Sequence, residues 1–448
     1  MHKDATVVIE RMGQYGEGVG RMPDGRLAFV PNALPGETVD IRVTETRSRF
    51  VRGAVVKRHD TSHERVKPVC PIYDLCGGCT FQHWQYQAEL RYKEARVKDA
   101  LERIAHVDSR VVQPIRANET PYGYRNKGQF PFGRHNGRTV LGLYRRGSHE
   151  VVDLDRCAIQ DELVNTVLKA AESLARASGL PPYDEVTHTG VLRYLLIRTS
   201  RYQGRALVLW VVARVDPVLA SLARELMKRV PAVEGVGVNV NADIGNRVLG
   251  SETRVLAGES SIVEEILGLK FRLSFTSFFQ VNPQQAALLY ATALDFLDET
   301  TNSVWDLYSG VGTLAILAAT RVREVRAIEI NADAVADALD NVRLNGLTNV
   351  RMEVGAVEQV MSEWVAKGYR VPDAVIVDPP RKGLDARVID ALLQLKPRRI
   401  VYISCQPETW ARDVHRLSHH YRLTAATPVD MFSRSDHVEV ASALDLQA

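Results

Sequence analysis

The residues of this chain with the most definite chemistry are its five cysteines and a few carboxylates at the ends of apolar runs. Cys405 follows Ile400-Val401-Tyr402-Ile403-Ser404, which reads as a buried strand. A thiolate at the end of a strand can attack an electrophilic carbon, whereas a lone buried thiol is usually inert. Asp378 opens Asp378-Pro379-Pro380-Arg381, directly after the apolar Ala374-Val375-Ile376-Val377, and Glu439 lies in His437-Val438-Glu439. Each carboxylate is suited to take a proton, or is an ordinary surface charge. Ser309-Gly310-Val311-Gly312-Thr313 follows Val304-Trp305-Asp306-Leu307-Tyr308. Glycines after a strand admit a ligand to the backbone, and they also make plain tight turns.

With Cys405 set aside, Cys70, Cys76, Cys79 and Cys157 remain. Four is the number of thiolates that hold one 4Fe–4S cluster. Cys70-x5-Cys76-Gly77-Gly78-Cys79 gives three close thiols; its glycines let the chain wrap, and Pro68 and Pro71 stiffen the approach. Zinc is the competing ligand, but its structural sites usually show two short Cys pairs, and Cys157 has no near cysteine. An odd cysteine count behind the start Met1-His2-Lys3-Asp4, which lacks a hydrophobic signal segment, argues against a disulfide framework and for a cytoplasmic protein.

These groups need a scaffold that brings them together. From about residue 285, strands Val304–Tyr308, Val325–Glu329, Ala374–Asp378 and Ile400–Ser404 alternate with helical stretches. That pattern predicts a parallel α/β sheet, with ligands beyond the carboxyl ends of its strands. The second strand ends in Glu329, about 20 residues past the glycine loop, where an acid can accept ribose hydroxyls. Ala315 stands where a dinucleotide fingerprint has its third glycine, which favours an adenosyl cofactor over NAD. Asp306, Gly310, Gly312, Glu329 and Asp378 together resemble an α/β Rossmann-like class I methyltransferase domain over roughly residues 275–448. The resemblance implies S-adenosyl-L-methionine as cofactor.

Asp378-Pro379-Pro380-Arg381 differs from the Asn-Pro-Pro-aromatic loop of amine methyltransferases. An amine lone pair needs little activation, but carbon 5 of uracil needs a great deal. Thiolate addition to C6 makes an enolate that attacks a methyl group from C5; a base then removes the C5 proton and the thiolate leaves. Cys405 and Glu439 supply the thiolate and the base, and Asp378 can receive the uracil N3–H. Phe278-Phe279-Gln280-Val281-Asn282-Pro283, Asp306–Thr313, Asp378–Arg381, Ser404-Cys405-Gln406-Pro407-Glu408-Thr409 and Asp430-Met431-Phe432…His437-Val438-Glu439 resemble the motifs of the RNA uracil-5-methyltransferase family. The resemblance implies that Cys405 is the nucleophile and Glu439 the proton-abstracting base. It further implies that Gln280, Tyr308, Glu329 and Asp378 contact the cofactor or the base, with Asp306, Gly310, Gly312 and Thr313 completing the cofactor site. Thr313 and Ala356 stand where the family often has Asn, and Ser433 where it often has Pro. The cysteine spacing is similar to that of the ribosomal-RNA branch, which implies a 4Fe–4S cluster with a structural or RNA-binding role. The Cys-x3-Cys-x2-Cys spacing of radical enzymes is absent.

The remaining sequence suits an RNA enzyme of several domains. Net charge is only +3, but Thr120–His149 has no Asp or Glu and interleaves Arg125, Lys127, Arg134, Arg138, Arg145 and Arg146 with Tyr122, Tyr124, Phe130, Phe132 and Tyr144. Such a segment is either a nucleic-acid surface or a basic hairpin with core aromatics. Residues 5–58 read as short strands of an OB-type barrel, with Gly13, Gly16, Gly18 and Gly20 marking a turn. Gly16–Gly20 and Val30–Glu37 resemble a TRAM domain, an RNA-binding module. Trp84–Ile104 is a helix candidate with Leu90, Val97, Leu101 and Ile104 on one stripe and charges opposite. The expected organisation is a TRAM barrel at 1–60, an α+β central iron–sulfur domain at 61–83 and 113–274, and a catalytic domain at 84–112 and 275–448. The longest apolar run, Ala206 to Ala213, is too short to span a membrane, and no obligate protein partner is expected. The expected substrate is a flipped or unstacked uridine of 23S ribosomal RNA, because the bacterial transfer-RNA branch lacks both barrel and cysteines. The alternatives are a transfer-RNA uridine enzyme, which the archaeal branch exemplifies, a non-catalytic iron–sulfur RNA-binding protein or redox sensor, and cytosine-5 methylation.

Overall fold

The computed structural model describes residues 4–447; Met1-His2-Lys3, on which most of the leader reading rests, and Ala448 lie outside the described residues. Strands β1 (Asp4–Met12), β2 (Gly18–Arg21), β3 (Leu27–Val30), β4 (Thr38–Thr46) and β5 (Phe50–Arg58) close into a barrel of order β1-β2-β3-β5-β4. Val39, Ile41 and Val43 alternate inward along β4 and join Val7, Ile9 and Val51 in its core. Gly18 and Gly20 are not turn residues, as the sequence suggested, but lie in β2. A Cβ would stand 2.1 Å from the Val8 carbonyl oxygen at Gly20 and 2.7 Å from that of Ala33 at Gly18, so close backbone contact requires glycine.

Helix α1 (Tyr86–Ala100) continues into a π-turn at Leu101–Ala105 and stops at His106, whose φ of 56° is left-handed. It starts after Trp84 because Trp84 still bridges to Arg65 in extended backbone. Leu90, Val97 and Leu101 are buried as the stripe predicted. The opposite, charged face is not solvated throughout: Glu89 and Lys93 are also fully buried.

The central sheet comprises β6 (Lys127–His135), β7 (Arg138–Tyr144), β8 (Val151–Asp153), β9 (Leu192–Ser200), β10 (Arg205–Val212), β11 (Val233–Val240) and β12 (Glu252–Gly258), in the order β12-β11-β10-β9-β6-β7-β8. Helices α2 (Glu162–Ser178) and α3 (Val218–Arg229) share a core with one face through Val167, Leu226, Phe130 and Trp210. The other face, with Leu196, Leu207 and Leu209, packs against the hairpin β13 (Ser261–Ile266) and β14 (Leu269–Ser274) and the last part of the chain. Burial on both faces is why β9 and β10 read as near-continuous apolar runs. The basic segment divides. Tyr124, Phe130 and Phe132 go into the core rather than forming a stacking surface, while Arg134, Arg138 and Arg146 stay exposed.

Residues from Pro283 onward form the predicted α/β layer. Helices α4 (Pro283–Leu294), α5 (Thr313–Ala318), α6 (Ala332–Leu344), α7 (Val357–Ala366), α8 (Ala386–Leu395) and α9 (Pro407–Leu417) flank a seven-stranded sheet. Its strands are β15 (Ser303–Leu307), β16 (Glu324–Glu329), β17 (Val350–Val354), β18 (Ala374–Val377), β19 (Arg399–Ser404), β20 (Tyr421–Val429) and β21 (Glu439–Leu446). The order is β17-β16-β15-β18-β19-β21-β20, with β17 to β19 parallel and the β20–β21 hairpin antiparallel at the edge. The chain runs from β15 outward to β16 and β17, then returns to β18 on the other side. That reversal leaves a crevice beyond the carboxyl ends of β15 and β18, where open α/β sheets bind ligands. Among the described residues no helix is long and apolar enough to cross a membrane.

Candidate active site

A cleft of about 1750 Å³ lies over this switch point. Its floor carries the sequence-predicted Tyr308, Gly310, Thr313, Glu329 and Asp378, and Cys405, Glu439 and Gln280 line the same space. Each is delivered by an element end. β15 stops at Leu307 because Tyr308 turns into left-handed backbone with φ of 69°, and Gly310 and Gly312 follow at 56° and 77°. At Gly312 a Cβ would meet that of Ala338 at 3.0 Å, so the loop needs a residue without one. Glu329 closes β16 and accepts hydrogen bonds from the Gly310 N–H and the Asn331 N–H, both at 2.9 Å.

Gly312 and Asp306 support the cleft without lining it. Asp306 is fully buried, and neither of its oxygens has a hydrogen-bond partner. Burial, then the nearby charges of Asp378 and Glu329, push its carboxyl well above the usual range; the Ala315 N–H works in the opposite sense but forms no bond that meets hydrogen-bond geometry. The Glu329 carboxylate, lining the cleft beside a positive-φ glycine loop, suits a hydroxyl-bearing nucleoside such as that of S-adenosylmethionine, so these residues fit that group.

The reactive end of the cleft is a convergence of acids. Cys405 follows β19 and precedes α9. Glu439 is the first residue of β21; it pairs with Val429, while its neighbour Val440 pairs with Ser404. Register therefore sets Glu439 beside the end of β19. Burial pushes Asp378 up to about 7. Burial and then the Asp378 charge push Glu439 up to about 8, with Arg381 pulling the other way. Burial, then Glu439 and Asp378, push the Cys405 thiol up to about 11, again opposed by Arg381. Three groups that are anionic when ionised share one site, with Arg381 acting on Cys405 and Glu439, so they compete for ionisation. Entry of a positively charged methyl donor favours the anionic forms.

Sequence reasoning missed Arg381 as an electrostatic partner, although it quoted the residue within its motif. Its guanidinium Nη2 also lies 3.3 Å from His437 Nε2. It missed Phe278 as well, a ring 71% exposed at the cleft and suited to stack on a base.

Cys70, Cys76, Cys79 and Cys157 gather apart from this cleft. Cys79 lies within electrostatic reach of the other three, and Cys157 of Cys76 and Cys70. Burial pushes Cys79 up to about 12, opposed by the Gln82 amide and added to by the neighbouring sulfurs. All four are free thiols. Among the described residues no group of three or more His, Cys, Asp or Glu is placed to hold a metal ion as it stands. The four thiols expected as ligands thus share one neighbourhood.

Comparison with known proteins agrees with the geometry. Residues 267–446 match the family described as tRNA (Uracil-5-)-methyltransferase, and residues 3–56 match the TRAM domain. An uncharacterized RNA methyltransferase of Halalkalibacterium halodurans is 39% identical over 444 residues, 98% of this chain and 96% of the relative. Another, from Thermosynechococcus vestitus, is 39% identical over 440 residues, covering 97% and 96%. Among solved structures, the Pyrococcus abyssi tRNA (uracil-54, C5)-methyltransferase in complex with S-adenosyl-L-homocysteine superposes with a TM-score of 0.79 at 26% identity, covering 98% of this chain and 99% of that one.

Proposed function

The chain belongs to the S-adenosylmethionine-dependent RNA uracil-5-methyltransferases that carry a TRAM domain, and from that premise we propose that Cys405, Glu439 and Asp378 perform the reaction on a uridine of 23S ribosomal RNA. The observation that carries the assignment is their meeting in one cleft with the glycine loop. S-adenosylmethionine supplies an electrophilic methyl group there. Tyr308, Gly310, Thr313 and Glu329, with Asp306 and Gly312 behind them, hold its nucleoside, and Gln280 approaches from the other wall. The Cys405 thiolate adds to uracil C6, and the C5=C6 electron pair moves into an enolate. Asp378 receives the N3–H and holds the ring edge. Carbon 5 bonds to the methyl group as the methyl–sulfur bond breaks, its electron pair leaving with S-adenosylhomocysteine; Glu439 then takes the C5 proton, and the freed electron pair re-forms C5=C6 and expels the thiolate. Arg381 offsets the negative charge that accumulates as these steps proceed.

The barrel and the cysteine set favour ribosomal RNA over the bacterial transfer-RNA branch, which lacks both, although archaeal relatives with a similar cysteine set act on transfer RNA. The likeness to a transfer-RNA enzyme supports the second reading, a transfer-RNA uridine. Mass mapping of 5-methyluridine in ribosomal and transfer RNA, from cells with and without the protein, decides between them. The expected result is loss of one or more methyl marks from 23S RNA alone. Loss from transfer RNA alone would overturn the ribosomal assignment.

We also propose that Cys70, Cys76, Cys79 and Cys157 hold a 4Fe–4S cluster with a structural role. Each thiolate of a cluster sits on a different iron, so its four ligands need not share the tight geometry of a single ion. The four thiols meet in one largely buried neighbourhood, and loss of their protons there would call for positive charge among them. Protein purified without oxygen is expected to carry about four irons per chain, and Cys79→Ser to lose them. Stoichiometric zinc in place of iron would contradict the cluster.

A further inference from the structure

Helix α1 places three charged side chains on one face at i, i+4 and i+7: Glu89, Lys93 and Arg96. Glu89 and Lys93 are fully buried, and Arg96 nearly so. None of them lines the cleft. All three instead grip the two short segments that carry the reactive residues.

One segment is the loop from Asp430 to Val438, which joins β20 to β21 and ends at Glu439. Lys93 Nζ donates to Asp430 Oδ1 at 2.5 Å, to Glu89 Oε1 at 2.8 Å and to the Phe432 carbonyl at 3.1 Å. Asp430 also accepts from the Tyr86 hydroxyl at 2.5 Å and from Ser433 Oγ at 2.6 Å. Glu89 receives the Arg434 N–H at 2.7 Å, and the Arg434 guanidinium lies between the rings of Tyr86 and Tyr122, 4.9 and 4.8 Å from their centroids. Arg434 holds a left-handed φ of 66°, and its carbonyl accepts the Thr80 and Phe81 N–H groups just beyond Cys79. Four alternating buried charges thus fix both the path and the direction of this loop.

The other segment is the turn after Cys405. Arg96 forms a bidentate pair with Glu408, 3.0 Å at each oxygen, in the first turn of α9. The same guanidinium donates to the Asp436 carbonyl at 2.8 Å. Arg96 is therefore bonded to the elements of both reactive residues at once.

We infer that the Glu89–Lys93–Arg96 face of α1 is a positioning brace, which holds Glu439 and Cys405 in register from outside the cleft. The inference rests on the roles given above to those two residues. Burying four charges is costly, and an apolar contact would hold a loop of this size as well. What ionic and bidentate pairs add is direction. Lys93 and Glu89 set the base, while Arg96 sets the nucleophile and ties it to the base. The two halves act on different steps: a displaced Glu439 slows release of the methylated adduct, whereas a displaced Cys405 slows its formation.

The test uses the full chain with its RNA and measures the covalent RNA–protein adduct on denaturing gels beside methyl transfer. Lys93→Met alone leaves Asp430 buried and unpaired, so it is made together with Asp430→Asn, which leaves Glu89 and Arg434 as a balanced pair. The double variant is expected to lose turnover about a hundredfold while adduct accumulates well above wild type. Arg96→Met is expected to form adduct more slowly, without accumulation. Both are expected to bind S-adenosylmethionine as wild type does. Wild-type turnover and adduct levels in both variants, or losses that only track melting temperature and leave adduct levels alike, would overturn the brace. Glu439→Gln runs alongside. If it accumulates no adduct, the base assignment has failed and the brace falls with it; if it does and the double variant does not, the brace alone is refuted.

Discussion

Cys405→Ala is expected to abolish methylation, by a factor on the order of 10⁴ or more, while binding of S-adenosylmethionine is unchanged. The two halves of that expectation come from different parts of the cleft. The cofactor loop, from Tyr308 to Thr313 with Glu329, belongs to β15 and β16, whereas Cys405 stands at the end of β19. Removing a sulfur at β19 leaves the glycine loop and the Glu329 hydrogen bonds untouched. Without the thiolate, C5 of uracil has no enolate character and cannot take the methyl group from the sulfonium. The thiol is pushed up to about 11 in the free protein, by burial and then by Glu439 and Asp378, so it is mostly protonated at neutral pH. Calorimetry with the cofactor and a methyl-transfer assay with RNA measure the two halves. Appreciable turnover by the alanine variant would refute covalent catalysis.

Glu439→Gln is expected to lower turnover by about 10²–10⁴ and to trap the RNA on the protein. Addition and methyl transfer do not need this carboxylate, but elimination does, because the C5 proton must leave before the electron pair can expel the sulfur. The pH dependence follows from the same group. Burial, then Asp378, raises the folded Glu439 from 4.5 to about 8. As a base it acts only when ionised, so release of the methylated adduct is expected to quicken as pH rises through about 8. Stability runs the other way. A carboxyl raised on folding binds more protons folded than unfolded, so its contribution is fully present below about 4.5 and is lost as pH rises through about 8. Glu439→Gln therefore melts at the same temperature as wild type in acid and higher at pH 8 to 9. The difference is at most about 5 kcal/mol and shrinks with any water in the cleft. Equal melting temperatures across this range would show that Glu439 ionises freely.

Much of this site could be read from local pattern. Short apolar strands ending in Glu329, Asp378 and Cys405 point to the carboxyl edge of a parallel sheet, and that edge is where all three lie. The glycine loop was legible because Gly310 and Gly312 need positive φ, a property that residue type reveals directly. Three features were not legible for physical reasons. Glu89, Lys93 and Arg96 read as a solvated helix face, since the partners that neutralise them, Asp430, Arg434 and Glu408, lie more than 300 residues away in sequence. Gly18 and Gly20 read as turn glycines, whereas β2 uses them for close strand approach. Tyr124, Phe130 and Phe132 looked like stacking rings among cations. Alternation along β6 sends Phe130 and Phe132 to the core, and the Tyr124 hydroxyl is spent on the Ser433 carbonyl at 2.9 Å. Ser433, where the family often has Pro, proves to be part of the bracing, receiving Asn118 Nδ2 at 3.0 Å and donating to Asp430. The cysteines are intermediate: spacing pointed to a shared role for four thiols, and these do meet in one neighbourhood, but spacing does not tell a cluster from zinc.

The most direct measurement is mass spectrometry of Glu439→Gln after incubation with RNA and S-adenosylmethionine, followed by nuclease and protease digestion. A peptide carrying a methylated uridine on Cys405 is the expected result. The same peptide unmodified, while 5-methyluridine accumulates in the RNA at the wild-type rate, would show that the sulfur never bonds to the ring.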